Sequence, residues 1–548
     1  MLWRLTGGQV FDPASGWSGE TRDIYFRDDR IVDAPANPQA AQRTIDLQGG
    51  VVMAGAIDMH THIGGGKLAL AKMLLAEQML PNRVPGGVDG FLPTANITGR
   101  RYAAMGYAAC FEPAVIPCNA RSAHAEMASI PFIDTGGYCL LGNDDCLLRM
   151  LQANVPAEMI RDYVAWMIQA TQCIAVKVVN AGGVSAFKYD QRMLDVDTPH
   201  PIYGVTPGQI IRVLARTVHE LGLAHPLHVH CSNLGVAGNI ESTLKTIAAS
   251  DGYPVHLTHV QFHSYGDSGT HGFSSAAARI AEALRQYPQV TIDVGQVMFG
   301  QTVTISADVA HQTRNRGLAD PRKSILVDIE CEAGCGVVPF RYRQRRFVNA
   351  LQWAIGLELF LMVDDPTRVF LTTDHPNGGA FTTYPHLIRL LADRSFRETA
   401  LAEIHPDAAA ASQLSGLPRQ YSLTEIAAMT RSGPADLLGL FDRGRLAPGA
   451  VADIVVYRQQ DDWERMFATP QLVFRRGLPI VTDGRLCDHW SEPHQTLAAQ
   501  PYYDSELAQR LSGSEFWRAS YQPRNLEITE DTMFTTMGSV VQRSGMRR

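Results

Sequence analysis

The sequence predicts an α/β fold: a (β/α)8 TIM-like barrel with a small β domain built from both chain ends. Three observations carry this expectation. Eight short apolar segments have the length and hydrophobicity of buried strands, near 51–58, 106–112, 132–140, 173–179, 226–230, 254–260, 290–294 and 369–373. Helix-like or loop segments separate them, for example Pro207 to Leu221 and Ile240 to Ala249, and strands alternating with helices pair in parallel. Histidine, lysine and aspartate recur near the ends of these segments, where a parallel barrel carries its site.

Taken in order, residues 1–50 read as short strands with turns at Gly7-Gly8, Asp12-Pro13 and Arg27-Asp28-Asp29, and Asp23–Arg27 with Arg30–Val32 reads as a hairpin. Similar text returns at Ala452–Tyr457 and Leu472–Gly477. The expected organisation is one half of the small domain over 1–50, the barrel over 51–435, the other half over 436–485, and an extension over 486–548. Two insertions follow barrel strands, at about 64–100 and 298–346, and should shape access to the active face. The extension carries Trp490, Tyr502, Tyr503, Phe516, Trp517 and Tyr521 and is expected to dock on the barrel or on a partner subunit.

The chain has 548 residues, 45% hydrophobic and 19% charged, with a net charge of −7. That balance is globular and argues against nucleic acid as the main partner. Only six of the 48 basic residues are Lys, so a lysine inside a strand invites explanation. The longest apolar stretch, Phe347 to Val363, is broken by Asn349, Gln352 and Glu358. It reads as a buried helix, with no expectation of a membrane span. The first residues lack the basic and apolar regions of a signal peptide, and nine scattered cysteines without a Cys-x-x-Cys pair suit reduced thiols. A cytoplasmic location is expected. Cys331 and Cys335, four apart, offer a separate metal or redox site only as the lesser reading.

His60 and His62 close the first strand segment. Two apart on an extended chain, they point the same way and form a pair of metal ligands. Lys177 lies in the apolar run Cys173–Asn180, where a charged amine is costly unless paired or chemically changed. It either pairs with a carboxylate or reaches solvent, or it is carboxylated by CO2 to an anionic bridge between two metals; the histidine set selects the bridge. In His228-Val229-His230 and His256-Leu257-Thr258-His259, the residue nearer the strand's C-terminal end, His230 or His259, is the expected ligand. His228 is expected in the core behind it, and His256 on the opposite strand face in a structural role. Asp374 ends the run Val369–Thr373; it is a helix N-cap or, beside strand one in a closed barrel, a metal ligand and general base. Such nitrogen and oxygen ligands without thiolate suit two zinc or similar divalent ions, and two ions that activate water against a carbonyl make hydrolytic chemistry.

The constellation resembles the amidohydrolase superfamily, in particular binuclear members with a carboxylated lysine such as dihydropyrimidinases. Asp58-Met59-His60-Thr61-His62, Lys177, His230, His259 and Asp374 each match a position of that pattern. Longer stretches are similar to a narrower family, the A subunits of formylmethanofuran dehydrogenases and of bacterial formyltransferase/hydrolase complexes: Glu112-Pro113-Ala114, Ala123-His124-Ala125-Glu126, Val176–Gly183, His228–Gly235, His259–Gly266 and Thr373–Gly379. The resemblance spans about residues 50–380. It implies an amidohydrolase barrel that cleaves or forms the N-formyl bond of a methanofuran-type carrier within a multisubunit complex, with a tungsten or molybdenum subunit supplying formate in the archaeal case. The arginine-rich composition leans to the bacterial hydrolase.

The resemblance further implies that His60, His62 and Asp374 hold one metal, that His230 and His259 hold the other, and that carboxylated Lys177 bridges them, with Asp374 moving the proton. His263 and Asn233 serve either as substrate contacts or in loop hydrogen bonds; His124 and Glu126 carry no assigned role. Arg341, Arg343, Arg345 and Arg346 form a solvated or subunit-facing surface, or a dock for an acidic tail. Two rivals stand beside this reading: a cyclic-amide hydrolase of the dihydropyrimidinase type, and a metal-free scaffold within the complex.

Overall fold

The computed structural model of the chain describes residues 1–79, 91–327, 334–502 and 506–548. Eight parallel strands run side by side in sequence order: Ala56–Asp58, Tyr107–Val115, Asp134–Leu141, Ala175–Val179, Leu227–His230, Val255–Leu257, Val290–Asp293 and Val369–Phe370. A parallel bridge between Thr61 and His375, with the His62 amide donating to the His375 carbonyl at 2.8 Å, joins strand eight back to strand one. The barrel is thus closed, as the alternation of short apolar runs and helices predicts. The helices expected at Pro207 and Ile240 form, spanning Pro207–Glu220 and Ile240–Ala249. The first opens with a capping box in which Thr206 and Gln209 exchange side-chain and backbone hydrogen bonds.

The apolar run expected as one strand over 51–58 is two. Val51–Ala54 pairs with Leu2–Asp12 and Ile454–Tyr457 in a nine-stranded sheet made from both ends of the chain, and only Ala56–Asp58 enters the barrel. The chain crosses between the sheets at Gly55, where a Cβ would stand 2.6 Å from that of Ala108. The hairpin of Tyr25–Arg27 with Arg30–Val32 forms as expected. Asp134, buried at the start of strand three, fastens the two sheets together. It receives Arg443 at 2.5 Å, Arg475 at 3.3 Å and Arg476, and Arg443 and Arg475 also meet Asp453.

The second insertion forms an antiparallel sheet of Gly300–Ser306, Ile325–Val327 and Cys335–Tyr342. A helix of the first insertion, Gly66–Leu74, packs Leu68 and Ala71 against Val303, Ile305 and Val337 of that sheet. Both insertions therefore cover the strand ends. Cys335 is buried here, and Cys331 lies outside the described residues. The helix Phe347–Met362 is buried along nearly its whole length, and among the described residues no helix is long and apolar enough to cross a membrane.

The extension enters the barrel sheet itself. His494–Ala498 pairs in parallel with strand three at Thr135 and Gly136, and Ser539–Arg543 pairs with His494–Ala498. Trp517 is buried edge-on against Trp166, with ring centroids 4.4 Å apart. Tyr503 lies outside the described residues.

Candidate functional site

Register sets the first layer of the site. Directly paired residues on neighbouring strands face the same way, so Lys177, His228, His256 and Thr291, paired in turn across strands four to seven, all project from one face into the barrel. His230, two residues beyond His228, stands on the same face nearer the strand's C-terminal end. Lys177, His230, His259, His62 and Asp374 all line one cavity of about 480 Å3 at that end.

His60 and His62 follow strand one. The His60 Nε2 lies 2.9 Å from Oδ1 of Asp374, and the His62 Nε2 lies 3.5 Å from the same oxygen. Their Nδ1 atoms are held from behind. That of His60 meets His228 Nε2 at 2.9 Å and Thr258 Oγ1 at 2.5 Å. That of His62 meets Glu112 Oε1 at 2.8 Å, while Glu112 Oε2 accepts the amides of Ile63 and Gly64. Asp374 adopts a left-handed backbone (φ 49°), which Asp tolerates; no helix starts there, so its carboxylate is not a cap. Burial works to raise the Asp374 pKa, but the imidazoles of His259 and His60 hold it well below the ordinary range.

His230, His259 and His263 form a second group, with ring centroids 4.6–5.3 Å apart. Strand six ends at Leu257, and His259 turns left-handed (φ 36°) into the short helix Val260–His263. That turn carries His263 back beside His230. It also overturns the expected opposite face for His256, though not its structural role, because strand alternation stops before His259 and both rings face inward. His256 is satisfied by Thr291 Oγ1 at 2.8 Å and Asp293 Oδ2 at 3.1 Å. Burial pushes His230, His259 and His263 well below the ordinary imidazole pKa, which favours the form with a free lone pair.

The unpartnered atoms are distinctive. His60 Nε2, His230 Nε2, His259 Nδ1, both ring nitrogens of His263 and Asp374 Oδ1 are buried without a hydrogen bond, which buried polar groups rarely tolerate. Ligand atoms of His60, His259 and Asp374 lie within 4.8 Å of one another, as do those of His230, His259 and His263. Burial lowers the Lys177 amine to about 8, with Asp374 opposing.

Asn233 donates to Ser242 Oγ at 2.9 Å and to Asp195, in a loop beside the cavity. His124 Nε2 donates to the Thr171 carbonyl at 2.8 Å, outside the barrel. Glu126 holds Lys72 at 2.6 Å and accepts the Gly65 amide, bracing the loop after His62. Of the arginine cluster, Arg346 lines the cavity mouth, and Arg343 pairs with Asp320 at 2.7 Å.

Sequence reasoning missed Glu112, Asp293 and Lys67. Glu112 sits in a motif already noticed, so the Glu112-Pro113-Ala114 stretch was the available signal. Asp293 ends strand seven and accepts the His259 amide at 2.9 Å and the Thr372 hydroxyl at 2.7 Å; an acid closing an apolar run was its signal, the same that marks Asp374. Lys67 lines the cavity and carries no local signal beyond the rarity of lysine.

The profile of the Amidohydrolase family matches residues 43–471. The A component of the formyltransferase/hydrolase complex Fhc of Methylorubrum extorquens is 43% identical over 520 residues, covering 93% of each chain. Protein FwdA of Methanocaldococcus jannaschii is 36% identical over 510 residues, covering 89% of each. A chain in the crystal structure of the FhcABCD complex from Methylorubrum extorquens, with methylofuran, superposes with a TM-score of 0.93 at 40% identity, covering 99% of this chain and 100% of that one.

Proposed function

The chain belongs to the amidohydrolase family, and from that premise we propose that it hydrolyses the N-formyl bond of a methanofuran-type one-carbon carrier and releases formate. Likeness to the Fhc component supports a place beside the other members of a formyltransferase/hydrolase complex, and the methylofuran bound in that relative's structure supports the carrier class.

One observation carries the reading: buried ring and carboxylate atoms of His230, His259 and Asp374 that lack hydrogen bonds line one cavity with Lys177, and a ligand atom of His60 lies within 4.8 Å of those of His259 and Asp374. Imidazoles and a carboxylate without thiolate fit a borderline divalent cation, zinc foremost. His60, His62 and Asp374 would hold one ion and His230 and His259 another, with carboxylated Lys177 shared between them. His263 offers a further imidazole to the second. Bound there, two such cations acidify water and polarise a carbonyl.

The remaining work falls to the chain. A lysine pKa of about 8 leaves roughly a tenth of the amine unprotonated at pH 7, the form that reacts with CO2. Glu112 and His228 fix the His62 and His60 rings with Nε2 facing Asp374. A carboxylate oxygen of Asp374 takes the proton of the attacking water and delivers it to the departing amine nitrogen. The C–O bond forms, the C–N bond breaks, the proton left on the acid passes to the amine, and formate and the protonated amine leave; the reverse condensation uses the same groups. The apolar walls, with Phe340, Tyr342 and Phe347, suit an aromatic ring next to the formamide.

Metal content together with the intact mass of the chain tests this. About two divalent ions and a carboxylated Lys177 support the reading. Metal-free chains with a bare lysine, prepared without chelator, overturn it in favour of a scaffold role.

A further inference from the structure

Six lysines occur in the chain. Lys72 pairs with Glu126 at 2.6 Å, Lys245 with Asp197 at 2.7 Å and Lys323 with Glu77 at 2.8 Å, and Lys188 has a partner of its own. Lys67 and Lys177 alone have no hydrogen bond or ion pair among the described residues, and both line the same cavity. Lys177 has a role in the reading above. Lys67 does not.

Nothing local explains its placement. Lys67 is only 5% exposed, and burying an unpaired amine costs stability. It lies in the first turn of the helix Gly66–Leu74, where the helix dipole favours anions and opposes cations. Neither nearby acid pairs with it: Glu112 is held by His62 and the Ile63 and Gly64 amides, and Asp374 Oδ1 faces His60 and His62 at 2.9 and 3.5 Å. Burial lowers the Lys67 pKa, while Glu112 and Asp374 work the other way. Lys67 also follows His62 by five residues, so it is tethered to the strand-one end of the site. Glu126 fixes that tether through the Gly65 amide at 3.0 Å.

A buried cation without a protein partner, lining a reaction cavity, calls for an anionic ligand. We propose that Lys67 is the anion-binding residue of this cavity, pairing with the carboxylate of the one-carbon acid as it forms. The inference rests on the formamide-hydrolase reading for the identity of that acid. Hydrolysis turns a neutral formamide and water into an amine and formate, so the bound substrate carries no charge and the acid product is an anion. An amine placed to meet that charge discriminates product from substrate, and in the reverse direction it collects formate. Its counterpart in charge, Lys177, is removed from this duty once carboxylated.

The test is a titration of 13C-labelled formate against the complex containing this chain, followed by NMR line width, with K67M and K67R beside the parent. K67M keeps the stem and removes the charge; K67Q, read the same way, stands in where K67M fails to assemble. Loss of one buried charge partner is expected to weaken formate binding by at least about tenfold in K67M, with K67R within about threefold and metal content unchanged in both. Equal affinity in K67M and parent overturns the proposal, as does a parent that binds no formate. Hydrolysis of a formylated carrier, assayed separately, judges the functional reading. A parent that binds formate through Lys67 yet cleaves no formamide would retire that reading and keep this site.

Discussion

The Nδ1 of His62 lies 2.8 Å from Oε1 of Glu112, and the other oxygen of that carboxylate accepts the Ile63 and Gly64 amides at 2.8 and 3.1 Å. One buried acid thus fixes the ring's tautomer, its orientation and the chain that follows it. Removing such a partner behind a metal ligand typically costs ten- to a hundredfold in metal affinity. Glu112→Gln is therefore expected to weaken zinc binding by about that factor, read by competition with a chromophoric chelator. Unchanged affinity would mean that Glu112 serves the loop and not the ring.

Asp374→Asn keeps the volume of the side chain and one potential oxygen ligand while removing the base. Turnover should fall by about 10²–10⁴, with most of the metal retained when measured by elemental analysis. Full activity in this variant would sink the proton-transfer role.

Lys177→Ala removes the bridge. Metal content should drop by about half, and a short carboxylate such as propionate should restore part of it by standing in for the carbamate. The parent protein, stripped of CO2 and metal, should regain metal on adding bicarbonate and zinc. At a fixed concentration of dissolved CO2, the rate should climb about tenfold per pH unit below 8 and level off above it, because the unprotonated amine is the reactive form and its pKa is lowered by burial to about 8. A pH-independent rate would contradict carboxylation at this residue.

The Asp134 cluster governs how the small sheet is fastened to the barrel. Burial opposes ionisation of Asp134, but Arg443, Arg475 and Arg476 hold its pKa far below the ordinary value. A depressed carboxylate contributes stability that is complete above its unfolded pKa, about 4, and fades as pH falls below that. Asp134→Asn leaves three buried guanidinium groups short of a partner and should cost about 3–5 kcal/mol. Thermal unfolding at pH 7 should show that loss, and the gap between variant and parent should narrow as pH falls below about 4. A gap that widens with acid would contradict the assignment.

Much of the architecture was readable because each barrel strand is a short apolar run and each run is followed by a helix or loop. The strand ends with His60, His62, Lys177, His230, His259 and Asp374 were readable for the same reason: polar residues closing apolar runs are visible in one dimension. What escaped depends on three dimensions. Nothing in the continuous hydrophobicity of Val51–Asp58 shows that Gly55 passes the chain from one sheet to another. That His259 faces inward together with His256 follows from the left-handed turn at His259, which period-two alternation does not anticipate. Glu112 and Asp293 act on histidines from other strands, and only register tells which acid meets which ring. Lys67 is marked by what it lacks, a partner, and that is invisible until every neighbour is placed. The extension's aromatic residues suggested docking, but strand addition beside Thr135 depends on a free edge below strand four.

The central claim is cleavage of an N-formyl amide by the metal-loaded chain. The most direct measurement is formate release from a formylated methanofuran-type carrier by the assembled complex, before and after chelation and after zinc is returned. The account predicts formate and free amine in equal amounts, lost on chelation and restored by zinc. Fully metallated protein that leaves the formyl group intact while opening hydantoin-like rings would contradict it.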